Sequence, residues 1–168
     1  MSTATQTLPE GPLTWQDVLD HPALQDLPFK IELNEWGQII MSPASNKHGI
    51  LQAEMAFLLK SKMAKGRVIT ECSIDTAKGT KVADVAWMSD DFLTNQGAET
   101  PYRKAPEICV EIVSPSNTAA EMEEKIVLYL AKGAKEVWLC DLEGHLSFHG
   151  NEGQQEVSVL APNFPTQI

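Results

Sequence analysis

EICVEIVSPSNTAAEMEEKIVLYLAKG, running from Glu107 to Gly133, is the stretch that decides the fold. Glu107 to Val113 is apolar on both faces: Ile108, Val110 and Ile112 line one, and Cys109, Glu111 and Val113 the other. A strand apolar on both sides belongs inside a sheet, so Glu111 is expected to be covered rather than solvated. Ser114-Pro115-Ser116 ends the strand. Thr118 and Glu121 then form a capping box, and a helix runs from about Ala119 to Lys132 with Gly133 as its C′ residue. Met122, Ile126, Tyr129 and Leu130 are its buried stripe, flanked by Lys125. Glu136 to Asp141 is the following strand.

Working outward, Arg67 to Asp75 and Lys81 to Met88 read as strands around a Lys78-Gly79-Thr80 turn, and residues 89–105 as a polar loop. A helix from about His48 to Lys65, closed by Gly66, precedes them. Before it, Phe29 to Leu33 and Gln38 to Met41 form a hairpin, and Thr14 caps a short helix with Asp17 in the capping-box position. Downstream, Glu143-Gly144 leads into Leu146-Ser147-Phe148, and a last strand is expected at about Glu156 to Leu160. This order predicts a mixed α/β (α+β) fold: one central sheet flanked by helices, with an N-terminal helix and hairpin. Residues 1–13 are expected as a flexible lead, 14–161 as a single domain and 162–168 as a Pro-broken tail.

Charged residues stand where the pattern is apolar. Asp84 shares a strand face with Val82, Ala86 and Met88, and a carboxylate buried there costs several kcal/mol unless it is paired or ligates a cation. An edge strand with Asp84 in solvent is the alternative. Glu111 repeats the anomaly on a central strand. Glu54 falls within the Ile50, Leu51, Met55, Phe57 and Leu58 face of its helix, an unusual place for an acid. Lys125 taken alone could simply snorkel. Together, inward carboxylates and an inward-leaning lysine suit a Mg²⁺ or Mn²⁺ site, because hard oxygen ligands hold such ions and a nearby Lys can orient water or meet phosphate. Phosphodiester hydrolysis is the chemistry they imply.

The chain has 168 residues, enough for one core, and 43% of them are hydrophobic. Thirteen Lys and Arg against 23 Asp and Glu make a net charge of −10, which argues against bulk attraction to nucleic acid or anionic membrane. It leaves room for a local site in which a metal supplies the positive charge. Cys72, Cys109 and Cys140 have no C-x-x-C spacing and read as reduced, buried residues. With no secretory or membrane-spanning pattern visible, a cytoplasmic location is expected.

Asp84, then Glu111-Ile-Val-Ser-Pro-Ser116, then Lys125-x-x-x-Tyr129-x-x-x-Gly133, followed by Glu136-Val-Trp-Leu-Cys-Asp141, resemble the PD-(D/E)XK nuclease superfamily, and within it the small bacterial Uma-two branch. Glu32-Leu-Asn-Glu-Trp-Gly37-Gln-Ile-Ile-Met-Ser-Pro43, with His48 opening the next helix, is similar to it as well. The likeness covers roughly residues 29–149. It implies a restriction-endonuclease-like core and a Mg²⁺- or Mn²⁺-dependent endonuclease acting on DNA. By the same resemblance, Asp84 and Glu111 would be metal ligands and Lys125 the catalytic lysine, with Glu54 as an accessory carboxylate and Glu32 and His48 as further candidates. Two positions depart from the pattern. Ala83 stands where a Pro would precede Asp84, and Val113 stands where the E-x-K lysine would be, a role that the branch moves to the following helix. Two other readings stay open: an inactive nuclease-fold binding or regulatory module, and a structural homodimer. Lys60, Lys62, Lys65 and Arg67 are the densest basic cluster, a candidate DNA contact or a complement to the helix dipole.

Overall fold

A computed structural model describes residues 11–168; for residues 1–10, the expectation of a flexible lead lies outside the described residues. Helix α1 (Trp15–Asp20) begins in the capping box read from Thr14 and Asp17, both halves of which form. β1 (Phe29–Leu33) and β2 (Ile39–Pro43) make a separate two-stranded antiparallel sheet, with Phe29 opposite Pro43 and Leu33 opposite Ile39. After α2 (Asn46–Lys62), β3 (Arg67–Thr76) and β4 (Gly79–Met88) form a long antiparallel hairpin, and α3 (Asp90–Gln96) follows. β5 (Ile108–Ile112), α4 (Ala119–Ala131) and β6 (Glu136–Cys140) form a crossover unit whose strands pair in parallel. β7 (Leu146–Gly150) and β8 (Gly153–Gln155) complete a six-stranded sheet ordered β3-β4-β5-β6-β7-β8.

The sheet is mixed, antiparallel everywhere except between β5 and β6. Every residue of β5 is buried, as its two apolar faces require. One face packs Leu51, Met55 and Leu59 of α2 onto Val85, Ile108, Val110 and Trp138. The opposite face packs Tyr129 of α4 onto Cys109, Val137 and Ala86. The fold is the mixed α/β architecture that the order of elements predicts. The cysteines are free and buried, and burial pushes the Cys72 thiol up to about 12.

Four local expectations are corrected. α2 ends at Lys62 rather than Lys65, and Gly66 is not its C′ residue. Instead Gly66 (φ +83°) lets the chain enter β3 against the carbonyl of Met88, where a Cβ would collide. The supposed loop 89–105 contains α3, because Ser89 Oγ accepts the Phe92 amide and starts a helix. The last strand is Gly153–Gln155, not 156–160. The amides of Val159 and Leu160 are taken by the buried Glu136 carboxylate at 2.7 and 2.8 Å and so never join a ladder.

Candidate active site

β4 and β5 stop pairing at Val85 and Val110, and the site lies where they part. The next cross-strand position is filled by a side chain: Asp84 Oδ2 accepts the Ile112 amide at 2.7 Å. That bond holds the strands open and fixes the carboxylate, leaving Oδ1 to face a cavity of about 450 Å³. Asp84 is 1% exposed on a strand with neighbours on both sides, which disposes of the solvated-edge alternative.

Glu111, one strand over, is equally buried. Its Oε1 accepts the Tyr129 hydroxyl at 2.7 Å, and its Oε2 faces the cavity, where it meets Lys30 at 3.0 Å and Lys125 at 3.1 Å. Tyr129 and Lys125 reach the same carboxylate because four residues on a helix return to one face. Lys125 also donates to Glu32 Oε1 at 2.9 Å, and that oxygen accepts the Val82 amide at 2.8 Å. Thus Glu32, on β1, ties the hairpin to β4 and to α4.

His48 lies in the first turn of α2, but it does not cap the helix. Ser45 does, with its hydroxyl accepting the His48 amide at 3.1 Å. The imidazole is left to approach Asp84 Oδ1 with Nε2 at 3.3 Å. Gln52, one turn further on, donates to the Asp84 carbonyl at 2.9 Å.

Five of the six residues singled out from the sequence therefore line one cavity: Asp84, Glu111, Lys125, Glu32 and His48. Glu54 does not. It is exposed on α2, outside the stripe of Leu51, Met55 and Leu59 that the helix buries, and it does not line the cavity. The basic cluster is also elsewhere: Lys60 and Lys62 fall in the last turn of α2, Lys62 about 21 Å along the helix from His48. One residue was overlooked. Lys30 Nζ sits between Asp84 Oδ1 (2.8 Å) and Glu111 Oε2 (3.0 Å). Its signal was its place two residues before Glu32, because alternate strand residues share a face.

Burial and charge set these groups apart. For Asp84, burial alone would favour the neutral acid, but the Lys30 ammonium and the His48 and Lys30 hydrogen bonds hold it well below the usual carboxylate range. Glu111 moves the other way: burial, helped by repulsion from Asp84 and Glu32, raises it despite both lysines. Burial disfavours the Lys30 ammonium, but Glu111, Asp84 and Glu32 outweigh it and hold the group charged. The hydrogen bond to Asp84 raises His48 against the effect of burial. Two adjacent carboxylates with opposite shifts, beside a charged lysine, are a setting for proton transfer and charge stabilisation.

Among the described residues, no three His, Cys, Asp or Glu side chains cluster closely enough to cage a metal on their own. Asp84 and Glu111 nevertheless suit an ion such as Mg²⁺, which binds through one or two carboxylates and keeps several waters. A cationic group already lies between them, in the form of the Lys30 ammonium.

The site thus consists of a mixed sheet that parts over buried acids, with a lysine-bearing crossover helix beside them. A family model described as "Putative restriction endonuclease" (Uma2) matches residues 15–164, and the chain belongs to that family, which is nuclease-like in function. Among solved structures, the chain is similar in fold to a protein titled a putative nuclease belonging to DUF820 from Anabaena variabilis ATCC 29413. That similarity has a TM-score of 0.71 and 20% sequence identity, over 93% of this chain and 95% of the other. No curated protein matches the chain. Among the described residues, no helix is long and apolar enough to cross a membrane.

Proposed function

We propose that this protein is a divalent-metal-dependent endonuclease that hydrolyses phosphodiester bonds of DNA at the cavity between β4, β5 and α4. The observation that carries the reading is the meeting of Asp84, Glu111 and Lys125, from two strands and a helix, around one solvent-facing cavity. Asp84 and Glu111 would hold Mg²⁺ or Mn²⁺, which when bound supplies a water of lowered pKa and charge for the phosphate oxygens.

The chain's own groups do the remaining work. Asp84 stays ionised because Lys30 and His48 stabilise its charge, so it presents a permanent anion at Oδ1. Tyr129 fixes the Glu111 carboxylate by donating to Oε1, which leaves Oε2 as the working oxygen. Lys125, anchored by Glu32, keeps its ammonium beside that oxygen, where it can orient a water or meet a non-bridging phosphate oxygen. Glu32 thus acts as a positioning residue for Lys125. His48 presents an imidazole to Asp84 Oδ1, the same oxygen that Lys30 engages.

The lining carries Glu32, Asp84, Glu111, Glu121 and Glu124 against Lys30, Lys81 and Lys125, an acidic excess that a bound cation would relieve. The test is cleavage of supercoiled plasmid and of single-stranded DNA with Mg²⁺ or Mn²⁺, comparing the native chain with Asp84→Asn and Lys125→Ala. A fall of about 100-fold or more is expected for each variant. Equal background cleavage by all three would sink the proposal.

A further inference from the structure

Each buried carboxylate of the pair has one oxygen committed to the fold and one facing the cavity. Asp84 Oδ2 takes the Ile112 amide and Glu111 Oε1 takes the Tyr129 hydroxyl. The remaining two oxygens, Asp84 Oδ1 and Glu111 Oε2, are both engaged by Lys30, at 2.8 and 3.0 Å. Among the described residues, Lys30 is the one cation that bridges them. Lys125 reaches Glu111 but turns to Glu32 for its second bond, and His48 reaches only Asp84.

Two buried carboxylates this close require a cation between them, since an unpaired buried charge costs several kcal/mol. The chain supplies that cation from β1, outside the main sheet, on a long flexible stem. A divalent ion would need the same two oxygens, because the other two cannot turn inward without breaking the bonds that hold β5 and α4 in place. It would also meet the Lys30 charge at contact distance. Ammonium and ion are thus mutually exclusive occupants of one seat.

We propose that Lys30 is a resident counter-cation, and that a divalent ion enters the site only by displacing its ammonium from Asp84 and Glu111. This rests on the reading that these two carboxylates hold the ion. The cavity that opens beside the seat, rimmed by Ser42 and Ser114, gives the displaced side chain room to swing. Lys30 thereby weakens ion binding and sets the ion concentration at which the site loads.

Mn²⁺ titration calorimetry on the native chain, Lys30→Met and the double variant Lys30→Met/Asp84→Asn tests the displacement. Lys30→Met is expected to bind Mn²⁺ at least about tenfold more tightly than the native chain, about 1.4 kcal/mol, and the double variant to lose that gain. Because Lys30→Met removes the one cation shared by two buried acids and lowers stability, a second measurement uses the native chain alone. Acylation of Lys30 by an amine reagent, followed by mass spectrometry, is expected to be slow without Mn²⁺ and several-fold faster at saturating Mn²⁺. Equal or weaker binding by Lys30→Met, or Lys30 acylation that does not change as Mn²⁺ binds, would overturn the counter-cation role and leave the ligand reading of Asp84 and Glu111 standing. Absence of Mn²⁺ binding by both the native chain and Lys30→Met, at millimolar ion, would overturn the two together.

Discussion

Glu111 and Glu136 are buried carboxylates on neighbouring parallel strands, yet their surroundings give them different work. Glu136 accepts four hydrogen bonds, from the Trp138 indole, the Ser158 hydroxyl and the amides of Val159 and Leu160, all between 2.7 and 2.8 Å. Its oxygens are used up by the fold, and they pin the segment after β8 to the sheet. Glu111 keeps one oxygen open to a cavity and is answered there by lysines. Replacing Glu136 with Ala should cost about 3–5 kcal/mol, since it leaves several buried donors unpaired. Urea denaturation measures this, and a loss under about 1 kcal/mol would contradict the pinning role. The sequence pattern exposes Glu111 because it interrupts an apolar strand face; Glu136 stands at the start of β6, where an acid interrupts no such face.

At the scale of elements, α4 is the piece most fully specified by local signals. Thr118 Oγ1 accepts the Glu121 amide while the Glu121 side chain accepts the Thr118 amide, the reciprocal box that its spacing implies. Thr118→Ala should therefore destabilise the protein by about 1 kcal/mol. Chemical denaturation reads this, and Thr118→Ser should recover most of it. α2 was less legible, because it carries two apolar stripes at helical spacing. Ile50 and Phe57 flank Glu54 on one, and Leu51, Met55 and Leu59 form the other. Periodicity cannot say which stripe meets a sheet. The sheet takes the second, leaving Ile50 58% and Phe57 71% exposed, so Glu54 faces outward with them.

Across the whole molecule, the charge of −10 is spread over a surface excess, but a few acids carry stability that depends on pH. Burial would raise Asp84 and Glu32, yet Lys30 for the first, and Lys125 with Lys30 for the second, hold both below their ordinary values. Folded values lie under unfolded ones of about 3.9 and 4.3. Their stabilisation is thus complete above that range and is lost as the pH falls through and below it. Glu111, shifted upward, opposes them with one group against two. The urea midpoint should therefore fall as the pH is lowered from 5 to 3, and Asp84→Asn should flatten that limb; a midpoint that rises on acidification would contradict the sign. By itself the sequence determined the order and type of most elements, the central place of β5, the capped α4 and the inward placement of Asp84 and Glu111, because periodicity, capping and a charge in an apolar run are local properties. Only the tertiary structure decided that Lys30 bridges the two acids, that Glu54 is left out and that Glu136 holds the chain after β8. Those outcomes depend on which hairpin, helix face or late segment comes to lie against the sheet, and contacts between residues dozens of positions apart leave no mark on local spacing.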